Sequence, residues 1–241
     1  MYQLKNYLLS MESNWFINQA LYEACMDAVP VINKFTVSEG MGELPKTPVN
    51  KLCTEIYPQI YKFPLFKKAW CKMLVEEIQH MEKEVGFHPN PDEDVARQIP
   101  EMVLEYKCPE LFERMWFTVE TILKPVIYSC YHKYSHDIAT VQIANYNPKD
   151  KQQGAWHHDE SADVSIVVPL NTGGYVGGGT EFMHRGIVKP LPSGHALMFP
   201  SASSMHRGLA VESGERYLLV FWLYDKSMTV SRAEDLLDIE V

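Results

Sequence analysis

The spacing of apolar residues changes once along this chain, near residue 139, and the change limits what the chain can fold into. Before it, apolar residues recur at helical spacing over residues 14–28, 67–85 and 109–131. After it come short apolar segments separated by turns that contain glycine and proline, a pattern typical of strands. These segments are residues 141–146, 164–170, 180–183, 195–199 and 216–224. The pattern predicts an α+β protein, with a double-stranded β-helix (jelly roll) buttressed by N-terminal helices.

Prolines and glycines are expected to shape the ends of these elements. Pro30 is expected just past the end of the first helix. Pro125 falls inside the third helical stretch and is expected to kink or break it, because proline donates no backbone N–H. The glycines at residues 177–179 are not followed by the Lys-Ser/Thr pair of a phosphate-binding loop, so they predict a tight turn with close backbone approach.

Composition narrows the range of partners. The formal net charge is −9, which disfavours binding to nucleic acid, since surfaces that bind phosphates are usually basic. No apolar run is long enough to span a membrane, and the first ten residues lack the pattern of a signal peptide. The five cysteines are scattered without a CxxC pair, which is typical of reduced thiols. We therefore expect a cytoplasmic protein with no membrane partner.

Two imidazoles and one carboxylate form a candidate metal site. In the triplet His157-His158-Asp159, residues i and i+2 share a strand face, so His157 and Asp159 can reach one ion while His158 points away. His206, from a distant strand, is expected to complete the triad. Such a triad leaves coordination positions open, which suits Fe(II) and oxygen chemistry, and no cysteine lies nearby to favour structural zinc. The alternatives are ordinary polar residues at strand ends, or a zinc or hydrolase site.

Arg216 lies ten positions after His206 and indicates a second binding function. The planar guanidinium fork pairs with carboxylates through parallel hydrogen bonds, so Arg216 is expected to bind a dicarboxylate co-substrate. A zinc or hydrolase site gives this arginine no role. The other histidines are expected beside helices, in loops or on the surface. They are His80, His88, His132, His136, His184 and His195.

Several motifs together resemble the Fe(II)/2-oxoglutarate dioxygenases of the prolyl and lysyl hydroxylase type, and most of all the procollagen lysyl hydroxylase catalytic domain. The similarity covers about residues 55–225 and does not reach residues 1–53. The matching motifs are Asn145-Tyr146, His157-His158-Asp159, Gly177-Gly178-Gly179-Thr180-Glu181-Phe182, Gly194, His206-Arg207-Gly208, Gly214-Glu215-Arg216-Tyr217 and the segment from Ile56 to Phe66.

The resemblance implies a role for each matching site residue. His157, Asp159 and His206 would bind Fe(II). Arg216 would pair with the distal carboxylate of 2-oxoglutarate, and the Tyr146 hydroxyl would donate to the same molecule. Further candidates for the pocket lining are Thr180 and Trp222, although aromatic residues are also common in cores that have no ligand.

The implied reaction is hydroxylation of a Lys or Pro side chain in a protein or peptide, with release of succinate and CO2. Ascorbate is a further cofactor that the resemblance implies, and a homodimer stays open. The last strand, with Trp222 six positions after Arg216, looks more like the hypoxia-factor prolyl hydroxylases, so Lys and Pro both stay open. The alternatives are a hydroxylase of a free amino acid, small molecule or nucleobase, and a non-catalytic metal-binding jelly roll.

We divide the chain into two parts on this basis. Residues 1–54 are predicted to form an N-terminal helical and loop extension, and residues 55–241 a double-stranded β-helix dioxygenase domain.

Overall fold

The computed structural model describes residues 2–4, 14–37, 46–88, 99–133, 136–149 and 153–225. The part of the predicted dioxygenase domain beyond residue 225 lies outside these ranges. The helices are α1 (Gln19–Val37), α2 (Lys68–Glu84), α3 (Leu104–Lys107), α4 (Pro109–Thr118) and α5 (Lys124–Tyr131), with a 3₁₀ turn at Pro48–Lys51 and a π-helical turn at Val119–Leu123.

Within the described ranges, twelve strands follow or interleave with these helices. They are β1 (Thr54–Tyr57), β2 (Ile60–Pro64), β3 (Glu101–Val103), β4 (His136–Tyr146), β5 (Val164–Pro169), β6 (Tyr175–Gly177), β7 (Thr180–Phe182), β8 (Gly186–Val188), β9 (His195–Pro200), β10 (His206–Gly208), β11 (Val211–Gly214) and β12 (Arg216–Asp225).

A seven-stranded antiparallel sheet carries the fold, in the order β1-β2-β9-β5-β12-β4-β3. Two smaller sheets, β10-β7-β8 and β11-β6, lie against it. The two layers form the predicted jelly roll, and the large sheet together with the helices makes the predicted α+β class. Among the described residues, no helix combines the length and the apolar character needed to cross a membrane.

The side chains of β12 alternate between two environments. Tyr217, Leu219 and Phe221 point into a large core that also contains the buried faces of α1, α2, α4 and α5. We call this cluster the helix-side core. Leu218 and Val220 point the other way, toward the smaller sheets. This period of two is what an extended chain with apolar cover on both faces produces.

Neither proline interrupts its helical stretch. Pro30 lies inside α1, so the prediction that it follows the helix end was wrong. The helix continues because Ala28 and Ile32, on either side of the proline, are fully buried in the helix-side core, and that packing outweighs one lost hydrogen bond. Pro125 does not break the helical stretch, which continues from residue 109 to residue 131 and changes only its helix type just before the proline. The chain passes through the π-helical turn, and Pro125 then occupies the first turn of α5, where a missing N–H costs little.

The glycine turn before β7 is as tight as predicted. Gly177, Gly178 and Gly179 all have positive φ angles of 83°, 73° and 113°. A Cβ atom at Gly177 would lie 2.4 Å from the Ala210 carbonyl oxygen, and one at Gly179 would lie 2.7 Å from that of Val188. Only glycine meets both requirements at once.

We expect the centre of β12 to be the most sensitive position for stability. Leu219→Ala should lower the free energy of unfolding by about 2–5 kcal/mol, because it removes a fully buried side chain from the helix-side core. Val176→Ala on β6, where the side chain is 54% exposed, is the matched control and should change it little. Urea denaturation of both variants checks this, and equal losses would contradict it.

Candidate active site

A cavity of about 70 Å³ lies between the large sheet and the smaller ones. A single water needs roughly 10–15 Å³ on the same measure, so the cavity has room for a small molecule. One wall consists of alternate residues of β4 and β12, on the faces of these strands that point away from the helices. The lining residues are Ile99, Gln142, Ala144, Tyr146, His157, Asp159, Val167, Thr180, His206, Gly208, Arg216, Leu218, Val220 and Trp222.

Three donor groups meet at one end of this cavity. Donor atoms of His157, Asp159 and His206 all lie within 4.8 Å of one another. The Nε2 atom of His157 is 3.3 Å from one carboxylate oxygen of Asp159, and the Nε2 atom of His206 is 3.8 Å from the other. His157 and His206 face each other across an antiparallel bridge and exchange backbone hydrogen bonds of 3.0 Å. The strand pairing therefore brings together residues that are 49 positions apart in the sequence.

Backbone carbonyls fix the tautomer of both imidazoles. The Nδ1 atom of His157 lies 2.9 Å from the carbonyl oxygen of Ala155, and that of His206 lies 2.9 Å from the carbonyl oxygen of Ser204. A carbonyl can only accept, so each Nδ1 carries the proton and each Nε2 presents a lone pair. This is the second-sphere arrangement that orients histidine ligands in metal sites.

Asp159 is 5% exposed and is kept in its ionised form. Burial alone would raise the pKa of its carboxyl. Interactions with the neighbouring His157 and His206 and the hydrogen bond from Ser165 act in the opposite direction and hold the pKa below its usual value. The Ser165 hydroxyl donates to the Asp159 carboxylate from the start of β5. Ser165 has no recognisable motif, and only the tertiary structure shows this contact.

His206 is buried among aromatic rings. Its ring centroid lies 4.6 Å from that of Phe199 and 5.9 Å from that of Phe182. Burial lowers the pKa of His206, and the nearby Asp159 opposes this shift without cancelling it. The imidazole is therefore neutral near neutral pH, as a metal ligand must be.

The donor set is chemically suited to Fe(II). Two imidazoles and one carboxylate converge from one side, which leaves the cavity side open for further ligands. His158 is half-buried and is not part of the three-residue group, as its position between the two ligands predicted.

Arg216 lies in the same cavity and is 3% exposed. Among the described residues, its Nε and Nη1 atoms have no hydrogen-bond partner. The β4–β12 register places it opposite Tyr146, and its Cζ atom lies 5.3 Å from the centre of the Tyr146 ring. A buried guanidinium without an anion is costly, so the geometry is that of a site for an anionic ligand.

Every residue predicted for the site lines this one cavity. Thr180 lies buried at the start of β7, and Trp222 lies on β12, both on the cavity wall. Their roles toward a ligand stay predictions. Gln142 is a buried polar residue of the wall that the sequence did not single out. It lies four residues before Tyr146 on β4, which places both side chains on the same face of the strand.

A glycine makes room for the Tyr146 side chain. A Cβ atom at Gly208 would lie 2.8 Å from the Tyr146 hydroxyl oxygen. Gly208 lies on the same short strand as His206. The motif His206-Arg207-Gly208 therefore ends in glycine because a larger residue would collide with Tyr146.

Comparison with known proteins supports the metal and co-substrate chemistry. Residues 141–224 match the 2OG-Fe(II) oxygenase superfamily, and residues 3–93 match the OGFOD2-like domain. The first match covers the candidate site. The second covers the segment that the resemblance left without an account. The proposed division at residue 54 stays a prediction.

Among its relatives, the chain is 32% identical over 187 residues to procollagen-lysine,2-oxoglutarate 5-dioxygenase 1 of Rattus norvegicus, covering 73% of this chain and 25% of that protein. It is 29% identical over 195 residues to the multifunctional procollagen lysine hydroxylase and glycosyltransferase of Caenorhabditis elegans, covering 74% and 25%. The chain thus spans about a quarter of the length of these relatives. The resemblance to the Fe(II)/2-oxoglutarate dioxygenases of the prolyl and lysyl hydroxylase type is confirmed.

A solved structure extends the likeness of fold over most of the chain. It is a prolyl hydroxylase in complex with a hypoxia inducible factor peptide fragment, from Trichoplax adhaerens, with a TM-score of 0.58. The two chains are 13% identical, and the match covers 93% of this chain and 95% of that one. At this identity the likeness concerns the fold alone.

We expect the His206 ring of the metal-free protein to titrate below about 6.5, the value of an unperturbed histidine. A histidine with a lowered pKa contributes stability that is present above the unfolded value and is lost as pH falls toward the folded one. NMR titration of the ring Cε1–H signal, assigned by its loss in His206→Gln, measures this pKa. A value at or above about 6.5 would contradict the burial argument.

Proposed function

We propose that this chain, which carries a 2OG-Fe(II) oxygenase domain over residues 141–224, hydroxylates a Lys or Pro side chain of a protein or peptide and releases succinate and CO2. The observation that carries the proposal is one cavity that holds both the His157, Asp159 and His206 donors and the buried Arg216. The donors alone would suit several metal enzymes. The buried guanidinium is what favours a carboxylate co-substrate over a hydrolytic site.

In this proposal His157, Asp159 and His206 hold Fe(II) through the two Nε2 atoms and the carboxylate. The bound iron supplies the oxidation of a C–H bond, for which O2 and 2-oxoglutarate are consumed. The protein contributes by keeping its donors free of protons and fixed in orientation. Both functions follow from the carbonyl contacts of the imidazoles and the hydrogen bond from Ser165 to Asp159.

Arg216 binds the distal carboxylate of 2-oxoglutarate in this proposal. Its backbone is fixed by pairing with Tyr146 on β4, and the Tyr146 ring packs beneath the guanidinium. The Tyr146 hydroxyl and Thr180 are proposed as further hydrogen-bond partners of the co-substrate, since both residues line the cavity. Side chains that are already fixed in position lose less conformational entropy when they bind a flexible dicarboxylate than mobile side chains would.

Apolar residues complete the cavity and exclude water. Val167, Leu218, Val220 and Trp222 line the same cavity as the metal donors and Arg216. In such surroundings an ion pair between Arg216 and a carboxylate is stronger than in water. The proposed role of Trp222 is therefore to form part of this lining.

The protein or peptide substrate is inferred from the relatives that are named as procollagen lysine hydroxylases. The five cysteines are all free thiols, which supports placing the activity in a reducing compartment such as the cytoplasm. Ascorbate belongs to the proposal as the reductant of the assay. A free amino acid or another small molecule is the alternative substrate class.

The experiment is a succinate-release assay under Fe(II), ascorbate and O2, with Lys- and Pro-containing peptides added in separate arms. Arg216→Met should raise the KM for 2-oxoglutarate about 100-fold, which corresponds to losing about 3 kcal/mol of charged hydrogen bonding. Its affinity for the metal should stay unchanged, because Arg216 is not among the metal donors. Arg185→Met, which alters a partly exposed arginine on the turn between β7 and β8, should behave like the unaltered protein.

Two results would contradict the proposal. Succinate release that survives in His206→Ala would exclude the proposed metal site. A KM unchanged in Arg216→Met would exclude the proposed co-substrate site. Stimulation of succinate release by free amino acids but by neither peptide would move the substrate to the small-molecule class.

A further inference from the structure

Among the described residues, the segment that carries His157 is attached to β10 by few backbone hydrogen bonds. His157 and His206 form an isolated bridge rather than part of a long ladder. One more backbone hydrogen bond, from the Gly154 N–H to the Gly208 carbonyl oxygen at 3.0 Å, joins the two segments. Side chains that link these segments therefore matter more here than in a long strand pair.

A row of side chains makes that link on the outer face of the small sheet. Arg207 follows His206 on β10, where side chains alternate between faces, so it lies on the face opposite that ligand. Trp156 precedes His157 in the sequence, and its ring lies against Arg207 on the same side. Glu181 lies directly across from Arg207 in the β10–β7 pairing. None of the three lines the cavity.

The contacts within this row hold the guanidinium from two sides. The Cζ atom of Arg207 lies 4.6 Å from the centre of the Trp156 ring. On its other side, Nε and Nη2 of Arg207 lie 2.8 Å and 2.7 Å from the same carboxylate oxygen of Glu181. The Arg207 and Glu181 side chains are only 32% and 26% exposed. A partly exposed ion pair alone contributes little, but a guanidinium with a ring stacked on it and a carboxylate bound to it is fixed in position.

We propose that Trp156, Arg207 and Glu181 form an outer brace that sets the distance between the two histidine ligands. The brace ties the segment of His157 to β10 and β10 to β7, so it acts through the backbone. These are positioning residues, because they are neither among the metal donors nor among the residues that line the cavity. The inference rests on the proposed function in that it assumes a metal held by these donors.

The test uses Co(II), a spectroscopic substitute for Fe(II), added to the full chain without any substrate. Arg207→Met keeps most of the side-chain length and loses the charge, and Glu181→Gln keeps the shape and loses the ion pair. Each should weaken Co(II) binding about tenfold, the lower end of what second-sphere changes cause, and should alter the visible absorption bands of the bound ion. Arg185→Met is the matched control on the same small sheet, since its guanidinium bonds only to the Pro58 carbonyl among the contacts described.

A double variant adds a readout that a general loss of stability would not give. Since Arg207 and Glu181 act as one unit in this proposal, Arg207→Met combined with Glu181→Gln should bind Co(II) no more weakly than the worse single variant. Additive losses would overturn the brace. Thermal unfolding of each metal-free variant shows that the compared proteins are folded.

The outcomes separate the brace from the site that it supports. If the unaltered protein binds no Co(II), or if His206→Ala binds it equally well, the proposed metal site is wrong and the brace with it. If the unaltered protein binds Co(II) and Arg207→Met and Glu181→Gln match it in affinity and spectrum, only the brace is overturned. Glu181→Gln changes no volume, so it carries the test if Arg207→Met fails to fold.

Discussion

The antiparallel pairing of β4 with β12 is the constraint on which the rest of this structure depends. It runs from Arg216 opposite Tyr146 to Asp225 opposite His136. Because the side chains of each strand alternate, this one pairing builds the helix-side core on one face and the cavity wall on the other. It also places the only charged group of the β12 wall at the end of the strand where Tyr146 can lie beneath it.

The chemistry depends on a second, shorter pairing that carries the metal donors. β10 and the segment around His157 contribute one histidine each. Asp159 lies two residues after His157, and its carboxylate points to the same site. The cavity therefore holds two polar features, the three metal donors and Arg216, together with apolar lining residues. A metal ion and a dicarboxylate suit this arrangement together better than either does alone, since either one alone would leave buried polar groups without partners.

Much of the site could be predicted because its information is local. The spacing of His157 and Asp159, two residues apart on a strand, already places both on one face, and Arg216 is recognisable by its type and position. The sequence did not predict groups whose environment comes from distant segments. His136 was expected in a loop or on the surface, yet it is fully buried at the start of β4, because Asp225 and the chain around it close over that end of the sheet. Ser165 is a similar case, since its contact with Asp159 exists only when β5 is in place.

The central claim is that one cavity binds a metal and a dicarboxylate at the same time. The most direct measurement is the visible charge-transfer absorption that develops when a 2-oxo acid is added, without oxygen, to the Fe(II)-loaded protein. We expect 2-oxoglutarate to produce this absorption at concentrations about 100-fold lower than 2-oxobutyrate, which has the same keto acid end and lacks the carboxylate for Arg216. Equal half-saturation by the two acids, or no absorption with either, would contradict it.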